Sequence, residues 1–402
     1  MNLNTNKVEQ SMMRCLVLLV LVCSFIGCSS TKKLKDNSCK ESRVVMNDLK
    51  PKHVQKNTNG FKVIGYLRPR GYKYVKDMDL SWTTHINLSF GNINEEGELV
   101  VDQDITSVVS SLQAQNIKVF IALGGGGVKG EVGNYWRKYV DVKHRDQLIS
   151  NLIGFVNRYN LDGIDVDFEN DFLKSLGDNY NVFVIELKKA LGSRGLSAAF
   201  PGRWLHKNVS DEAIDTFDFI NIMAYDNRGP WNPNRPGQHS PLSLLTTVND
   251  FWVKDKGVSK DKIIFGLPFY GYDFSGDKVR SAVWSNIVTN NPESGYVDQV
   301  GELWYNGIPT IAKKTHASLD MFGGVMVWSY GVDIFSDMSL IKTINQVVDA
   351  GVIEGSVLKT YYADSDGDGF GDIYHPFQAY RAPEGYVDNR KDINDLDPSV
   401  HP

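Results

Sequence analysis

The chain has 402 residues, of which 42% are hydrophobic, so it can bury a large core and lacks the composition of a disordered protein. Its 43 basic and 48 acidic residues give a net charge of -5, which excludes the basic excess that nucleic-acid binding requires. Three of the four cysteines fall within the first 28 residues and the fourth is Cys39, which excludes a disulfide framework.

The first 28 residues have the pattern of an export signal. Arg14 precedes an apolar run, Cys15 to Ile26, that has the length of a signal-peptide core and is too short to span a bilayer. The run continues into Gly27-Cys28-Ser29-Ser30 and resembles a bacterial lipobox, with Cys28 as the lipidated first residue of the mature protein. Phe25 stands where leucine is usual, so secretion without a lipid is the alternative to an outer-membrane or cell-surface lipoprotein. Residues 29–60 are polar and are predicted to form a tether.

From Phe61 onward, short apolar runs alternate with helical stretches. The runs predict eight strands: Lys62–Leu67, His85–Phe90, Lys118–Leu123, Gly163–Phe168, Leu196–Phe200, Phe217–Tyr225, Lys262–Phe269 and Gly324–Trp328. This alternation predicts an α/β fold, a closed (β/α)8 TIM barrel over residues 61–350. A doubly wound open sheet is the alternative. The barrel is favoured because functional-looking residues follow many separate strands and not one switch point.

The fourth predicted strand carries acidic residues at alternate positions, Asp165 and Asp167, and Glu169 continues this alternation directly after the strand. Alternate side chains of a strand share a face, so the three carboxyls are expected to form one row that ends with Glu169 at the barrel mouth. Burial and mutual repulsion raise at least one pKa in such a row, which keeps a proton available for a general acid near neutral pH. Asp162, at the beginning of the strand, is predicted to be structural. A calcium site or a solvent-facing strand edge is the alternative interpretation.

The segment Asp162-Gly-Ile-Asp-Val-Asp-Phe-Glu169 resembles the DxxDxDxE signature of family 18 glycoside hydrolases, the chitinase family. The resemblance implies that Glu169 protonates the glycosidic oxygen while the 2-acetamido oxygen of the substrate attacks C1. Asp167 and Tyr225 would orient and stabilise the resulting oxazolinium ion, and Asp165 would share a proton with Asp167. Water then opens the ion with Glu169 as base. The implied substrate is chitin or another N-acetylglucosamine-containing polysaccharide, with no cofactor for catalysis.

Other strand ends are similar to motifs of the same family. Val63-Ile-Gly-Tyr66 implies a tyrosine that points toward the sugar, and Met223-Ala-Tyr225-Asp226 implies contacts to the acetamido group. Gly323 to Trp328 implies a tryptophan floor beneath the sugar. Ala122 stands where the family has a serine that supports the inner aspartate, so a water or another hydroxyl is expected to bind Asp165. The substrate-binding residues proposed in this way are Tyr66, Phe90, Gly125, Met223, Asp226 and Trp328.

Two features of the loops add expectations about the groove. Trp204 and Trp231 lie in loops at the catalytic face and are predicted to be sugar platforms, with packing within the loops as the alternative. The segment between the seventh and eighth predicted strands looks short for the α+β insertion that deepens the cleft in many processive chitinases. A shallower, endo-acting groove is therefore predicted.

Residues 361–402 are predicted to form a small second unit. The pattern Asp364-x-Asp366-x-Asp368-Gly-x-Gly-Asp372 spaces its carboxylates like the first part of a calcium loop, but His375 stands where an EF-hand has glutamate. The stretch resembles a thrombospondin type 3 repeat, which implies structural calcium held by these four aspartates. An acidic solvated tail is the alternative.

Three other functions are weighed against chitin hydrolysis. An endo-β-N-acetylglucosaminidase acting on N-glycan cores uses the same acid, although Tyr225-Asp226 and Trp328 favour the chitinase. A non-catalytic chitin-binding lectin on the same barrel typically loses the acid, and Glu169 argues against it. A metal-dependent deacetylase needs a histidine cluster, and the eight histidines show no ligand spacing. The protein is expected to be a monomer that meets a membrane only through its N-terminal lipid.

Overall fold

The computed structural model of the protein describes residues 58–351, 359–379, 382, 385–392 and 397–399. The predicted signal peptide, its lipidated Cys28, and the predicted tether up to residue 57 lie outside the described residues. In the described ranges, no helix combines the length and the apolar character that a bilayer span requires.

The strands confirm a closed parallel barrel. The described strands are β1 (Lys62–Leu67), β2 (His85–Ile93), β3 (Leu99–Val100), β4 (Lys118–Gly124), β5 (Gly163–Asp167), β6 (Gly195–Pro201), β7 (Phe219–Met223), β8 (Ile263–Pro268), β9 (Tyr270–Asp273), β10 (Arg280–Val283), β11 (Gln299–Val300), β12 (Leu303–Trp304), β13 (Gly324–Trp328), β14 (Lys359–Ala363), β15 (Pro376–Ala379) and β16 (Tyr386–Val387). The barrel runs β1-β2-β4-β5-β6-β7-β8-β13 and closes by pairing of β13 with β1. These eight barrel strands correspond to the eight strands that the sequence predicts. The largest difference at an end is in β2, which continues to Ile93.

Helices connect the barrel strands, as expected for parallel pairing. They are α1 (Thr106–Gln113), α2 (Gly130–Val140), α3 (Arg145–Arg158), α4 (Asn170–Leu176), α5 (Asn179–Leu191), α6 (Asp211–Thr216), α7 (Leu244–Val248), α8 (Trp284–Asn290), α9 (Ile308–Met321) and α10 (Leu340–Gly351). A π-helical turn, Asn249–Asp255, continues α7. The open-sheet alternative is thus excluded, because the first and last barrel strands are hydrogen-bonded neighbours.

Strand periodicity decides which side chains reach the barrel interior. In β1, Ile64 and Tyr66 belong to the cluster inside the barrel, whereas Val63 and Leu67 pack in the larger cluster between strands and helices. In β5, Ile164 and Val166 pack in that outer cluster as well. Because alternate residues of a strand face opposite sides, Asp165 and Asp167 must then face inward, as the spacing of the carboxylates predicts.

The segment between β8 and β13 corrects one premise of the sequence analysis. It carries a small α+β element, an antiparallel sheet in the order β10-β9-β12-β11 together with α8. The segment is therefore long enough for a compact insertion. Its length no longer supports the prediction of a shallow groove.

The C-terminal segment forms an antiparallel sheet in which β14 lies between β15 and β16. Phe377 of this sheet is buried, and the ring of Tyr386 lies 6.1 Å from that of Tyr296, which belongs to the segment between α8 and β11. Apolar contacts of this kind hold the sheet against the barrel. The boundary of the second unit at residue 361 stays a prediction, since β14 begins at Lys359 and residues 352–358 are not described.

Candidate active site

A cleft of about 590 Å³ opens at the C-terminal ends of the barrel strands. This is the size and place at which barrels of this type bind small molecules. The predicted residues that line it are Tyr66, Phe90, Asp167, Glu169, Met223, Tyr225, Asp226 and Trp328. The cleft therefore brings together side chains from five different barrel strands or the loops that follow them.

Asp165 is fully buried below the cleft and accepts three hydrogen bonds. The hydroxyl of Tyr66 donates to Oδ2 at 2.6 Å, the hydroxyl of Ser197 to Oδ1 at 2.6 Å, and the amide of Asn221 to Oδ1 at 3.0 Å. Burial raises the pKa of Asp165, and these donors oppose the rise. Three donors on one carboxylate favour its ionised form.

The register of the sheet explains how Ser197 replaces the missing serine at position 122. Asp165 pairs with Ala122 of β4 on one side and with Ser197 of β6 on the other. The hydroxyl that the sequence analysis expected therefore comes from the opposite neighbouring strand. Neither Ser197 nor Asn221 was predicted from the sequence. Both follow from counting inward-facing positions once strand neighbours are known.

Ser197→Ala is expected to lower the free energy of unfolding by about 1–3 kcal/mol, because a buried carboxylate loses a hydrogen-bond donor. Chemical denaturation of the wild type and the variant measures this loss. Adding Ala122→Ser places a hydroxyl on the other side of Asp165 and is expected to restore part of the lost free energy of unfolding. A Ser197→Ala protein as stable as the wild type would contradict this account of the network.

Asp167 is buried between Asp165 and Glu169 in the row. Burial, and then the charges of Glu169 and Asp165, hold the pKa of Asp167 well above its ordinary value. Its Oδ1 is buried and has no hydrogen-bond partner among the described residues. Asp165 accepts three hydrogen bonds, which stabilise its ionised form, whereas Asp167 has no such set of donors. Asp167 is one of the residues that line the cleft.

Glu169 follows β5 at the rim of the cleft and is partly buried. Burial, and next the negative charge of Asp226, raise the pKa of Glu169 to about 7. A Cβ at Gly126 would lie 2.9 Å from Oε1 of Glu169, so the glycine leaves room for this carboxyl. Gly126 was not among the residues predicted from the sequence. A carboxyl that keeps its proton near pH 7 has the property that a general acid requires.

This pKa predicts where activity declines in alkaline solution. Any reaction that needs the Glu169 proton is expected to lose rate above pH 7, by about tenfold per pH unit at its steepest, because deprotonation removes the acid. The pH dependence of kcat/KM measures it in the free protein. A flat profile from pH 6 to pH 9 would contradict a role for this proton.

Asp226 has a left-handed backbone (φ +63°) and turns its carboxylate toward the inserted sheet. The hydroxyls of Tyr270 and Tyr272 donate to its Oδ1 at 2.5 and 3.0 Å. The two tyrosines lie on β9. They were not predicted as site residues, because the segment between β8 and β13 looked too short in the sequence to carry an insertion. They hold the charge of Asp226 beside Glu169.

Aromatic rings form one wall of the cleft. The rings of Trp328 and Phe90 stack with centroids 5.6 Å apart, and Tyr66 meets Trp328 edge to face at the same distance. Gly125 (φ +85°) supports Phe90, since a Cβ there would lie 2.5 Å from the phenyl ring. It does not line the cleft itself. Burial holds the pKa of Tyr225 well above its ordinary value, so its hydroxyl stays a neutral donor.

The two predicted sugar platforms do not line this cleft. The side chain of Trp204 is 38% exposed and packs edge to face on His206, with ring centroids 4.8 Å apart. Trp231 is 59% exposed and packs on Tyr272 at 5.8 Å. Both rings thus have packing partners in their loops, and a contact with sugar beyond the cleft stays a prediction.

The acidic repeat brings three of its four predicted ligands together. Carboxylate oxygens of Asp364, Asp366 and Asp368 all lie within 4.8 Å of one another. Asp372 instead accepts a hydrogen bond from the backbone of Tyr374 at 2.7 Å and contacts His375 at 2.5 Å. Oδ2 of Asp368 is buried without a hydrogen-bond partner in the described ranges. Converging hard oxygen ligands of this kind fit calcium.

Comparisons with known proteins agree on one family. Residues 21–333 match the family described as glycosyl hydrolases family 18. The chain is 35% identical to the solved GH18 chitinase ChiB from the chitin utilization locus of Flavobacterium johnsoniae, with a TM-score of 0.69 over 72% of this chain and 94% of that one. It is 29% identical to the secreted chitinase LysM12 of Penicillium expansum and 24% identical to probable chitinase 10 of Drosophila melanogaster. These alignments cover 53% and 75% of this chain, which spans 16% and 17% of those proteins.

Proposed function

Because the chain belongs to the glycosyl hydrolases of family 18, we propose that it hydrolyses β-1,4 linkages between N-acetylglucosamine units in chitin or chitooligosaccharides, with retention and with help from the substrate itself. The three relatives described above bear the name chitinase. The proposal rests on the arrangement of Asp167 and Glu169 in one cleft.

The observation that carries the proposal is the orphan Oδ1 of Asp167. A buried carboxyl oxygen without a partner is costly, so the cleft is adapted to a ligand that supplies one. The N–H of a 2-acetamido group is such a donor. Once Asp167 holds that N–H, the acetamido oxygen is oriented toward C1 of the same sugar and can act as the nucleophile.

The proposed reaction then uses each group in turn. Glu169 donates its proton to the leaving oxygen while the acetamido oxygen closes on C1. Positive charge develops on the oxazolinium ion, and Asp167 gains ionic character by passing its proton toward Asp165. The hydroxyl of Tyr225 stabilises the ring oxygen of that ion as a neutral donor. Water opens the ion, returning a proton to Glu169, and the product keeps the β configuration.

Incubation with chitin oligomers, and separately with an N-glycoprotein, tests the substrate. Release of oligomers whose first-formed reducing end is β by NMR supports the proposal. Glycan release alone would move the function to an endo-β-N-acetylglucosaminidase, the second candidate, which the shared acid also permits. Saturable binding without hydrolysis of either substrate would identify a lectin.

We further propose endo action. The support is a cleft whose lining extends beyond the proposed catalytic residues and includes Arg68, Asp102 and Lys129. An enzyme that cuts within a chain releases a spread of oligomers from soluble polymer and lowers its viscosity early. Release of disaccharide as the main early product would contradict endo action.

Export with a lipid on Cys28 is also a proposal, supported by the apolar run that precedes this cysteine and by a relative named as secreted. Mass spectrometry of the mature N-terminus tests it. A diacylglycerol on Cys28 in the membrane fraction, lost in Cys28→Ser, is expected. An unmodified N-terminus in the medium would leave secretion without an anchor. A single species of monomer mass is expected by light scattering of the soluble part.

Structural calcium in the C-terminal repeat is the last part of the proposal. Asp364, Asp366 and Asp368 would hold the ion, and its chemistry there is to neutralise three adjacent carboxylates. Calorimetric titration of Ca²⁺ into the protein, repeated with Asp368→Asn, tests it. No heat of binding in the wild type would favour a solvated acidic segment. Catalysis is expected to need no cofactor, and chelators should leave the rate unchanged.

A further inference from the structure

His239 is fully buried under the wall of the cleft, in the segment between β7 and α7, and the proposed reaction does not use it. Its ring packs against those of Tyr270 and Tyr272, with centroid distances of 5.0 and 5.1 Å. Nε2 lies 3.1 Å from the backbone carbonyl oxygen of Tyr270. A carbonyl oxygen only accepts hydrogen bonds, so Nε2 carries a hydrogen.

The other ring nitrogen of His239 faces Asp226. Nδ1 lies 3.4 Å from Oδ1 of Asp226 and makes no hydrogen bond to the described residues. A neutral ring with its hydrogen on Nε2 presents a lone pair at Nδ1, which opposes the carboxylate oxygen. One further proton, on Nδ1, converts this opposition into a charge-assisted hydrogen bond. The geometry of the pair therefore calls for a shared proton.

The groups around this pair have opposing effects on the pKa of His239. The pKa of His239 is lowered, first by burial and also by the charge of Lys314 on α9, while Asp226 and the carbonyl of Tyr270 oppose this shift. Lys314 is itself buried, which lowers its own pKa to about 7. Lys314 donates to the backbone oxygen and hydroxyl of Ser240 at 2.6 Å each, so it fixes the residue next to His239. From β9, the hydroxyls of Tyr270 and Tyr272 converge on the same Oδ1 of Asp226.

Asp226 links this pair to the proposed acid, because its charge is what raises the pKa of Glu169 beyond the effect of burial. We propose that His239 is a positioning residue of the reaction: it shares a proton with Asp226, holds that carboxylate against the two tyrosine hydroxyls, and so sets the negative charge beside Glu169. The expected effect of His239 on the rate rests on the proposed hydrolysis. The proton shared between His239 and Asp226 is independent of that proposal.

Nitrogen-15 NMR of the histidine rings in the full chain tests the shared proton without any substrate. Nε2 of His239 is expected to stay protonated throughout, and Nδ1 to gain its proton only as the pH falls below the ordinary range of histidine, because burial lowers the pKa of His239. Asp226→Asn is expected to move this titration at least about one pH unit lower, since the attracting charge is gone. His85 is the internal control, because burial lowers its pKa to about 3. An unchanged His239 titration in Asp226→Asn would overturn the proposal.

A matched pair of variants tests the effect on rate. Glutamine at 239 can reach the place of Nε2 and keep the contact with the Tyr270 carbonyl, whereas asparagine can place an N–H near Nδ1 and keep the contact with Asp226. His239→Gln is expected to lower kcat about ten- to hundredfold and to shift the alkaline limb of kcat/KM, because the charge beside Glu169 is no longer held. His239→Asn is expected to retain most of kcat.

Equal losses in the two variants, or no loss in either, would overturn the positioning role, and thermal melting shows whether either variant fails to fold. The two arms also separate this inference from the proposed function. Absence of hydrolysis by the wild type would refute the function while the NMR titration still reported on the pair. Hydrolysis with an untitrated Nδ1 would refute the pair alone.

Discussion

Glu169→Gln is expected to lower kcat for chitin oligomers by about 100- to 10 000-fold, because glutamine keeps the shape of the side chain but has no proton to donate to the leaving oxygen. KM is expected to change little, because Glu169 transfers its proton only in the transition state and not in the bound ground state. Initial rates on a defined oligomer measure both constants. The alkaline limb near pH 7 should disappear from any residual activity.

The stability of the same variant separates loss of the acid from loss of the fold. The pKa of Glu169 rises from 4.5 to about 7 on folding, so the folded protein binds more protons than the unfolded chain between these values. Its contribution to stability is therefore present below pH 4.5 and is lost as pH rises to 7. Above pH 7, Glu169→Gln should be more stable than the wild type by roughly 1–3 kcal/mol, discounted for partial solvent exposure.

Glu212→Gln is the matched control, because this glutamate lies exposed in the first turn of α6, away from the cleft. It should keep the rate of the wild type. If Glu169→Gln retained full activity while Glu212→Gln behaved as the wild type, Glu169 would have no part in proton transfer and the proposed mechanism would fail.

Asp167→Asn is expected to lower kcat by about 100- to 1000-fold. Asparagine fills the same volume and stays neutral, but it cannot become negative when charge develops on the acetamido group. The loss should therefore fall on kcat more than on KM, because the charge exists only in the transition state. Steady-state kinetics on the same oligomer measure how the loss is divided between kcat and KM.

Asp162→Asn provides the control for that substitution on the same strand. Oδ2 of Asp162 accepts hydrogen bonds from the backbone of Val119 at 2.8 Å and from Gln113 at 3.1 Å, at the far end of β5. The control should lower stability and leave kcat unchanged. Equal effects of the two substitutions on kcat would mean that Asp167 acts through the fold alone.

The spacing of a few residues predicted more of this protein than its overall composition. Alternation along Gly163–Asp167 places Asp165 and Asp167 on one face, and apolar Ile164 and Val166 leave no other face for them. The eight barrel strands were recognisable because each is buried on both sides and therefore largely apolar. Such patterns are local, so one sequence contains them.

Other parts of the site depend on contacts between distant segments. Ser197 and Asn221 reach Asp165 across 32 and 56 positions of sequence, and Tyr270 and Tyr272 reach Asp226 across 44 and 46. The sequence of β9 gives no indication that its tyrosines contact Asp226. The predicted platforms failed to line the cleft for the same reason, since the direction of a loop depends on what it packs against.

The sequence by itself determined the barrel and the alternation of Asp165 and Asp167 on one strand face, with Glu169 directly after the strand, because strand periodicity acts within a few residues of chain. Only the tertiary structure decided which donors bind Asp165 and which charge raises the pKa of Glu169. Burial and Coulomb interactions depend on distance in space, and closure of the barrel brings Ser197 and Asp226 to their places.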